Sequence, residues 1–248
     1  MTVTEPTKTT LTFDNNNGKI ITKSYTLAPN GFYTAGGGYA PIEPVAPDYL
    51  CFTAVEANSS VKLKKYGSPT LPDLVTSTDG KIWTDFTPGA TTITLDNIGD
   101  KVYFRRKGTE AGTSFSTSSV AYAYFVMTGK IAASGNVMSL LDPNCEVTAF
   151  DDEDGAYCFF KLFEGCTSLT KAPELPATTL ALSCYRDMFK DCISLNSITV
   201  HFTEWEYGNS TMEWVSGVSS TGKFYCPSDL DEEYGEDYTP TGWTKENL

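Results

Sequence analysis

Histidine is almost missing from this chain: among its 248 residues there is one, His201. Histidine is the commonest catalytic base and a frequent zinc ligand, so the chain has little material for either kind of site. Glycine-rich phosphate loops and the GxSxG turn of serine hydrolases are missing as well. These absences predict a protein that is not an enzyme and uses no cofactor. His201 then has a structural or surface role on an alternating strand at residues 197–202.

Long apolar runs are also missing. No segment approaches the ~18 apolar residues that cross a bilayer, and the first ten residues, MTVTEPTKTT, lack the apolar core of a signal peptide. We therefore expect no membrane insertion and no ordinary export signal. This favours a protein that folds in the cytoplasm where it is made.

Positive charge is scarce in the second half of the chain. Residues 1–130 contain 12 Lys and Arg against 11 Asp and Glu, whereas residues 131–248 contain 6 against 20. An acidic field repels nucleic acid, so we expect no nucleic-acid partner. The acidity predicts a solvated surface, and a site for cations or basic partners is the alternative.

Cysteines are present, but without the spacing of metal sites. There are seven: Cys51, Cys145, Cys158, Cys166, Cys184, Cys192 and Cys226. Four of them form two pairs that are eight residues apart rather than CxxC pairs, and a zinc site would have to gather thiolates from separate coils. Reduced core cysteines are the preferred interpretation, with a disulfide or a metal site as the alternatives.

The strongest pattern is an internal repeat of 26 residues. Residues 157–169, YCFFKLFEGCTSL, match residues 183–195, SCYRDMFKDCISL, position by position. The apolar positions of each unit lie three and four residues apart, which predicts a short helix, then a turn and a strand. Such a period predicts stacked coils that share one core, in which Phe163 packs on Phe189. The predicted repeat core consists of Cys158, Phe163, Cys166, Leu169, Cys184, Phe189, Cys192 and Leu195.

A family resemblance rests on these units. The segment Phe163-Glu-Gly-Cys-Thr-Ser-Leu169, continuing as Pro173-Glu-Leu-Pro-Ala-Thr-Thr-Leu180, resembles the BspA-like leucine-rich repeat, a bacterial and phage surface module. The ending, from Phe224-Tyr-Cys-Pro-Ser228 to Pro240-Thr-Gly-Trp243, resembles the segment that closes such repeats in proteins of gut Bacteroidales and their crAss-like phages. The resemblance implies a short leucine-rich-repeat solenoid with a C-terminal cap over residues 157–248.

The region before the repeats is rich in predicted strands. Short apolar or alternating runs occupy residues 49–55, 60–66, 81–86, 91–96, 101–106 and 119–128. Turn sequences such as Asp79-Gly80 separate them, at a spacing typical of a sandwich. We predict an immunoglobulin-like β-sandwich over residues 48–130 with Trp83 in its core. The fold class is therefore mainly β with short helices.

The two remaining segments flank this sandwich. Residues 1–47 contain a predicted hairpin, Leu11-Thr-Phe with Lys19-Ile-Ile-Thr, then a linker rich in glycine and proline. We interpret them as an anchoring arm that orders against a partner, or as an extra strand pair folded onto the sandwich. Residues 131–156 form a junction, with a turn at residues 132–135 and a short helix or strand at residues 137–141.

Two groups of residues could bind a ligand. The acidic runs at residues 151–154 and 231–233 are solvated loops or calcium sites, although neither has the EF-hand pattern. Aromatic rings alternate with acids at Trp205, Tyr207 and Trp214. The preferred interpretation is that these rings plug the open end of the repeats, and the alternative is a surface that stacks on sugars.

Taken with the resemblance, these features favour a non-enzymatic virion structural protein of a bacteriophage: a head fibre, a capsid decoration protein or a tail-associated fibre. The arm would bind other virion proteins, the exposed part would bind a host surface glycan or protein, and we expect a homo-oligomer. The alternatives are a fragment of a bacterial cell-surface adhesin and a carbohydrate-active enzyme or its accessory binding module.

Overall fold

The computed structural model shows a mainly β protein in two compact units, Met1–Ala46 and Pro47–Leu248. It describes the backbone and side chains of residues 47–112, 115–116, 118–150, 155–205 and 209–248, and the backbone alone of residues 7–14, 20–28, 31–33 and 39–41. Within these ranges, no helix has the length and apolar character needed to span a bilayer.

The first unit is a four-stranded antiparallel sheet with its strands in chain order. The strands are β1 (Thr7–Asp14), β2 (Ile20–Ala28), β3 (Gly31–Tyr33) and β4 (Tyr39–Pro41). Phe13 pairs with Ile21, which confirms the predicted hairpin. The glycines at 36–38 and the proline at 44 lie outside the described residues.

The second unit begins with two packed sheets. Their strands are β5 (Leu50–Ala54), β6 (Ser59–Tyr66), β7 (Leu74–Ser77), β8 (Thr84–Phe86), β9 (Ile93–Leu95), β10 (Lys101–Arg106), β11 (Tyr122–Thr128), β12 (Ile131–Ser134) and β13 (Leu169–Lys171). One sheet has the order β13-β12-β5-β10-β7-β8 and the other β11-β6-β9. Each predicted strand run overlaps one of these strands. The turn predicted at residues 132–135 is wrong, because β12 continues the larger sheet there.

The core between these sheets is built from phenylalanine rings and does not contain Trp83. Phe52 and Phe104 of the larger sheet both meet Phe125 of the smaller one, with ring centroids 4.9 and 5.4 Å apart. On β8 it is Phe86 that points inward, onto Phe104. Because side chains alternate along a strand, Trp83 has the opposite parity and lies half-buried on the outer face.

Four parallel strands follow in the acidic half: β14 (Glu174–Leu175), β15 (Ser197–Val200), β16 (Lys223–Cys226) and β17 (Thr244–Asn247). They lie side by side in chain order. Ser197 of β15 pairs with Lys223 of β16, 26 residues later, so the offset between these two strands equals the sequence period. A 3-10 helix, Val137–Leu140, precedes them, as predicted for residues 137–141.

The predicted helix within each repeat is wrong, because the segment is a row of consecutive turns. In the first turn row, residues 155–166, every second N–H donates to the carbonyl three residues earlier, as Leu162 does to Phe159. The alternate N–H groups donate to the next turn row, as Phe159 does to Cys184 at 2.9 Å. An α-helix would consume all of these donors internally. Every fourth residue has a positive φ, for example Lys161 at 58°, and this prevents continuation as a helix.

The structure contains a third turn row that the sequence comparison missed. After residues 155–166 and 181–192, the same pattern of bonds recurs at residues 209–218. Phe189 donates to the carbonyl of Trp214, as Phe163 does to that of Met188. The residue types have changed here: Ser210 replaces the first cysteine and Val215 the phenylalanine. Hydrogen bonding and burial persist where sequence identity does not.

The paired sheets provide the base on which the first turn row stacks. The Phe125 ring lies 5.4 Å from the Phe163 ring and nearly parallel to it, at 13°. The N–H of Phe125 donates to the carbonyl of Leu162 at 2.7 Å, in the way that Phe163 donates to the second row. Phe125 therefore occupies the place of a repeat phenylalanine, and one core runs from the sheets into the repeats.

Candidate functional site

All eight predicted repeat-core residues are buried, with exposed fractions of 0 or 1%. Phe163 stacks on Phe189 with ring centroids 5.5 Å apart and planes 4° apart, which confirms the predicted contact. The thiols of Cys166 and Cys192 donate to the carbonyls of Phe125 and Phe163, at 3.2 and 3.0 Å. These side chains hold successive layers together and do not face solvent.

Burial makes these thiols poor nucleophiles. It raises the pKa of Cys158 to about 12 and that of Cys166 to about 12, and it also raises the pKa values of Cys184 and Cys192. A thiolate is the reactive form of cysteine, so its population at neutral pH is minute. Within the described residues all seven cysteines are free thiols, and no cluster of three or more metal-binding side chains occurs.

The two rings of residues 205–214 that the structure describes are buried, as the preferred interpretation of a plug requires. Trp214 is fully buried and Trp205 is 6% exposed. Their indole N–H groups donate to the carbonyls of Tyr238 and Asp231, both at 3.0 Å, and this removes the cost of burying them. Both rings contact Phe224 inside the repeats, so their faces cannot stack on a sugar. Tyr207 lies outside the described residues.

The structure also describes His201 and one of the two predicted acidic runs. His201 is half-buried, and its Nε2 lies 2.6 Å from Oε1 of Glu174 on the neighbouring strand. Residues 231–233 are exposed, as expected of a solvated loop. The acidic run at 151–154 lies outside the described residues.

The outer face of the joined sheets forms one strand surface, which we call the open face. Two isolated parallel bridges, Tyr49 with Asn136 and Asn136 with Glu174, connect the six-stranded sheet to the four parallel strands. Strand register then places one row of residues across both sheets. Val75 of this row is buried. The other members are exposed or half-buried: Asp85, Arg105, Tyr49, Asn136, Glu174, Thr199, Tyr225 and Glu246.

Arg105 lies within this row in an unusual setting. Its guanidinium carbon is 4.5 Å from the centre of the Trp83 ring and 5.7 Å from that of Tyr49. Tyr49 and Trp83 meet edge to face, with centroids 5.0 Å apart. Nη1 donates to the carbonyl of Arg106 at 2.9 Å. Among the described residues no carboxylate pairs with Arg105, and its buried Nε has no hydrogen-bond partner.

A rigid loop carries Trp83. Oδ1 of Asp79 accepts hydrogen bonds from the N–H groups of Lys81 and Ile82, both at 2.8 Å, and from the Ser77 hydroxyl. These bonds lower the pKa of Asp79 to about 2, so the carboxylate stays ionised and the loop stays closed at neutral pH. Trp83 is therefore positioned before any ligand arrives.

Carboxylates border the other side of this cluster. Burial, and then the nearby charge of Glu174, raise the pKa of Asp48. Asp48 is next to Tyr49 in the chain, and Glu174 is two strands away across the bridges. The open face thus combines one stacked cation, aromatic rings and acidic hydrogen-bond acceptors.

The sequence analysis missed this cluster because its members are far apart in the chain and none belongs to a motif. Trp83 is the one member that the sequence pattern singles out, and the pattern predicts that it lies in the core. Comparisons of the chain with protein-family models, with curated proteins and with solved structures gave no match.

Proposed function

We propose that this chain is a structural component of a bacteriophage particle, a head fibre, decoration or tail-associated fibre protein, that presents the open face to a binding partner. The phage assignment rests on the sequence resemblance of residues 163–202 and 224–243. The interaction role rests on the structure of the open face.

We also propose that residues 157–248 form a BspA-like leucine-rich-repeat solenoid and that residues 48–130 form an immunoglobulin-like sandwich. The 26-residue strand register and the stacked phenylalanines support the first assignment. Two sheets packed through Phe52 and Phe125 support the second. In both, the scaffold provides rigid strands on which surface side chains are held.

One observation supports the interaction role: some aromatic and reactive side chains are buried, and others are exposed. The repeat thiols and the three tryptophans of the acidic half are enclosed, and each indole N–H donates to a backbone carbonyl. By comparison, Trp83, Tyr49 and Arg105 form a half-exposed cluster on a continuous strand surface. Exposed clusters of aromatic residues and arginine are typical of binding surfaces.

The test is made on purified particles. Mass spectrometry should detect the protein in them, and deletion of residues 1–47 should give a soluble protein that no longer incorporates, since the arm binds other virion proteins in this proposal. Trp83→Ala, which removes a half-buried ring from the open face, should spare incorporation and reduce attachment to the host surface. Absence of the protein from particles would contradict the proposal and favour a bacterial surface protein.

A further inference from the structure

We infer that the cluster of Arg105, Trp83 and Tyr49 is a binding site for a carboxylate-bearing sugar, such as a uronic acid residue of a glycan. This inference deepens the proposed function, because it names the ligand class of the open face.

Arg105 lacks the partner that a half-buried guanidinium normally has. A guanidinium normally pairs with a carboxylate or phosphate when it is partly removed from water. Here the protein supplies two rings and one carbonyl, while Nε and Nη2 have no partner among the described residues. Nε is enclosed by the protein, so Nη2 is the nitrogen that remains to donate to a carboxylate oxygen from outside. The site is built for an anion that the protein does not provide.

The carboxylates of Asp48 and Glu174, which we call the acidic border, determine which kind of anion can bind. Asp48 and Glu174 lie close enough for Glu174 to raise the pKa of Asp48, and the whole chain has a net charge of −13. A sulfate- or phosphate-rich polymer would be repelled by this field. A single carboxylate can be bound at Arg105 while hydroxyl groups on the same ligand donate to the acidic side chains.

The rings supply the remaining contact. Trp83 and the 74%-exposed Ile82 offer an apolar surface beside the guanidinium. The C–H face of a pyranose can lie against such a surface while its carboxylate reaches Arg105. A peptide ending in a free carboxylate has the same charge, but it has few hydroxyls for the acidic border, so we favour the sugar.

The experiment uses the full-length protein and a matched pair of probes, methyl α-D-galactopyranosiduronate, which carries a single carboxylate, and its neutral methyl ester. Titration calorimetry should show binding of the acid and at least about tenfold weaker binding of the ester, as expected for a charge-assisted pair. Arg105→Gln should weaken binding of the acid by about 10- to 100-fold. Arg105→Lys, which keeps the charge but loses the planar guanidinium and its stacking on Trp83, should also weaken it.

Arg106→Gln is the control, since it removes the same charge from the next residue of β10 and no ring stacks on Arg106 in the described structure. It should leave binding unchanged. Equal binding of acid and ester, equal losses in the two glutamine variants, preference for dextran sulfate, or preference for a tripeptide acid over the galacturonide would each overturn the inference. Such a result would leave the virion proposal intact, because incorporation is measured on particles and needs no sugar.

Discussion

At the scale of the residue, the sequence predicted burial well where a repeat existed and poorly elsewhere. Cys166 and Phe163 could be assigned to the core because Cys192 and Phe189 recur at the same positions. An isolated tryptophan carries no such information. Trp83 lies on the outer face because of its strand parity, whereas Trp214 is buried and a backbone carbonyl accepts its indole N–H. Neither cause can be read from the sequence.

Phe189→Ala should destabilise the protein by about 3 to 5 kcal/mol. The ring is fully buried between Phe163 and Trp214, so its removal leaves a cavity in the shared core. Denaturant unfolding would measure the loss. Ile193→Ala is the control, because Ile193 is 61% exposed and its truncation should cost under about 0.5 kcal/mol. Similar losses for both variants would contradict the assigned core.

Tyr185→Phe should stabilise the protein by roughly 1 kcal/mol. The Tyr185 hydroxyl is buried without a hydrogen-bond partner among the described residues. The equivalent residue of the first turn row is Phe159, whose ring lies parallel to that of Tyr185 at 7°. Removing the hydroxyl therefore removes a desolvation penalty and keeps the packing. A lower thermal midpoint in the variant would show that the hydroxyl has a partner.

The repeat thiols should not react in the folded protein. Cys158, Cys166, Cys184 and Cys192 should resist a thiol reagent at pH 7, because burial raises their pKa values far above that pH and blocks access. After denaturation without reductant, all seven cysteines should react. Peptide mapping of the labelled protein would separate the sites. Fast native labelling at Cys166, or fewer than seven thiols after denaturation, would contradict this prediction.

At the scale of the element, the period could be predicted and the local conformation could not. Apolar residues spaced three and four positions apart are typical of one face of a helix, but the turn rows bury the same positions. The difference lies in where backbone donors go: the N–H of Phe163 bonds to Met188 in the next row, and a sequence pattern of side chains does not report that choice. The third row escaped detection because Trp214 and Val215 replace methionine and phenylalanine.

Position 191 offers a test of the turn-row conformation. Gly165, Asp191 and Gly217 occupy the same place in the three rows, with φ values of 70°, 60° and 75°. Glycine adopts this region freely, whereas alanine pays about 1 to 2 kcal/mol. Asp191→Gly should therefore be at least as stable as the wild type, and Asp191→Ala should be less stable than Asp191→Gly by that amount.

The control for this pair is the exposed Thr167, which has no positive φ in the described structure. There the alanine variant should be at least as stable as the glycine variant, because glycine loses more backbone entropy on folding. Thermal melts of all four variants make the comparison. The same order at both positions would contradict the left-handed conformation of the row.

At the scale of the whole molecule, the separation into a sandwich and a repeat region does not describe how the core is shared. Phe125 belongs to the sheets but stacks as a member of the repeat, and Phe52 also contacts Phe163. Composition and turn spacing could place the two regions in order along the chain. The contact between them joins residues that have no pattern in common, so the sequence could not predict it.

Residues 47–248 should therefore unfold in one transition. A fragment of residues 47–150 would expose Phe52 and Phe125 on the side that Phe163 covers, so it should not fold stably. Calorimetry of residues 47–248 and the amide spectrum of the fragment would test this. Two separate transitions, or a dispersed spectrum from the fragment, would show that the sheets are independently stable.

The stacking of one turn row on another has a consequence for how such a protein can change length over evolution. The first two rows donate their alternate N–H groups to the row that follows, 25 residues later, and at the base Ser116 and Phe125 donate to the first row in the same way. A 26-residue segment duplicated in the gene could therefore enter between two rows without altering either end. Each duplication would lengthen the stack by about one strand spacing, ~4.8 Å. The length of the repeat region could thus be adjusted by copy number, with Arg105, Trp83 and Tyr49 unchanged.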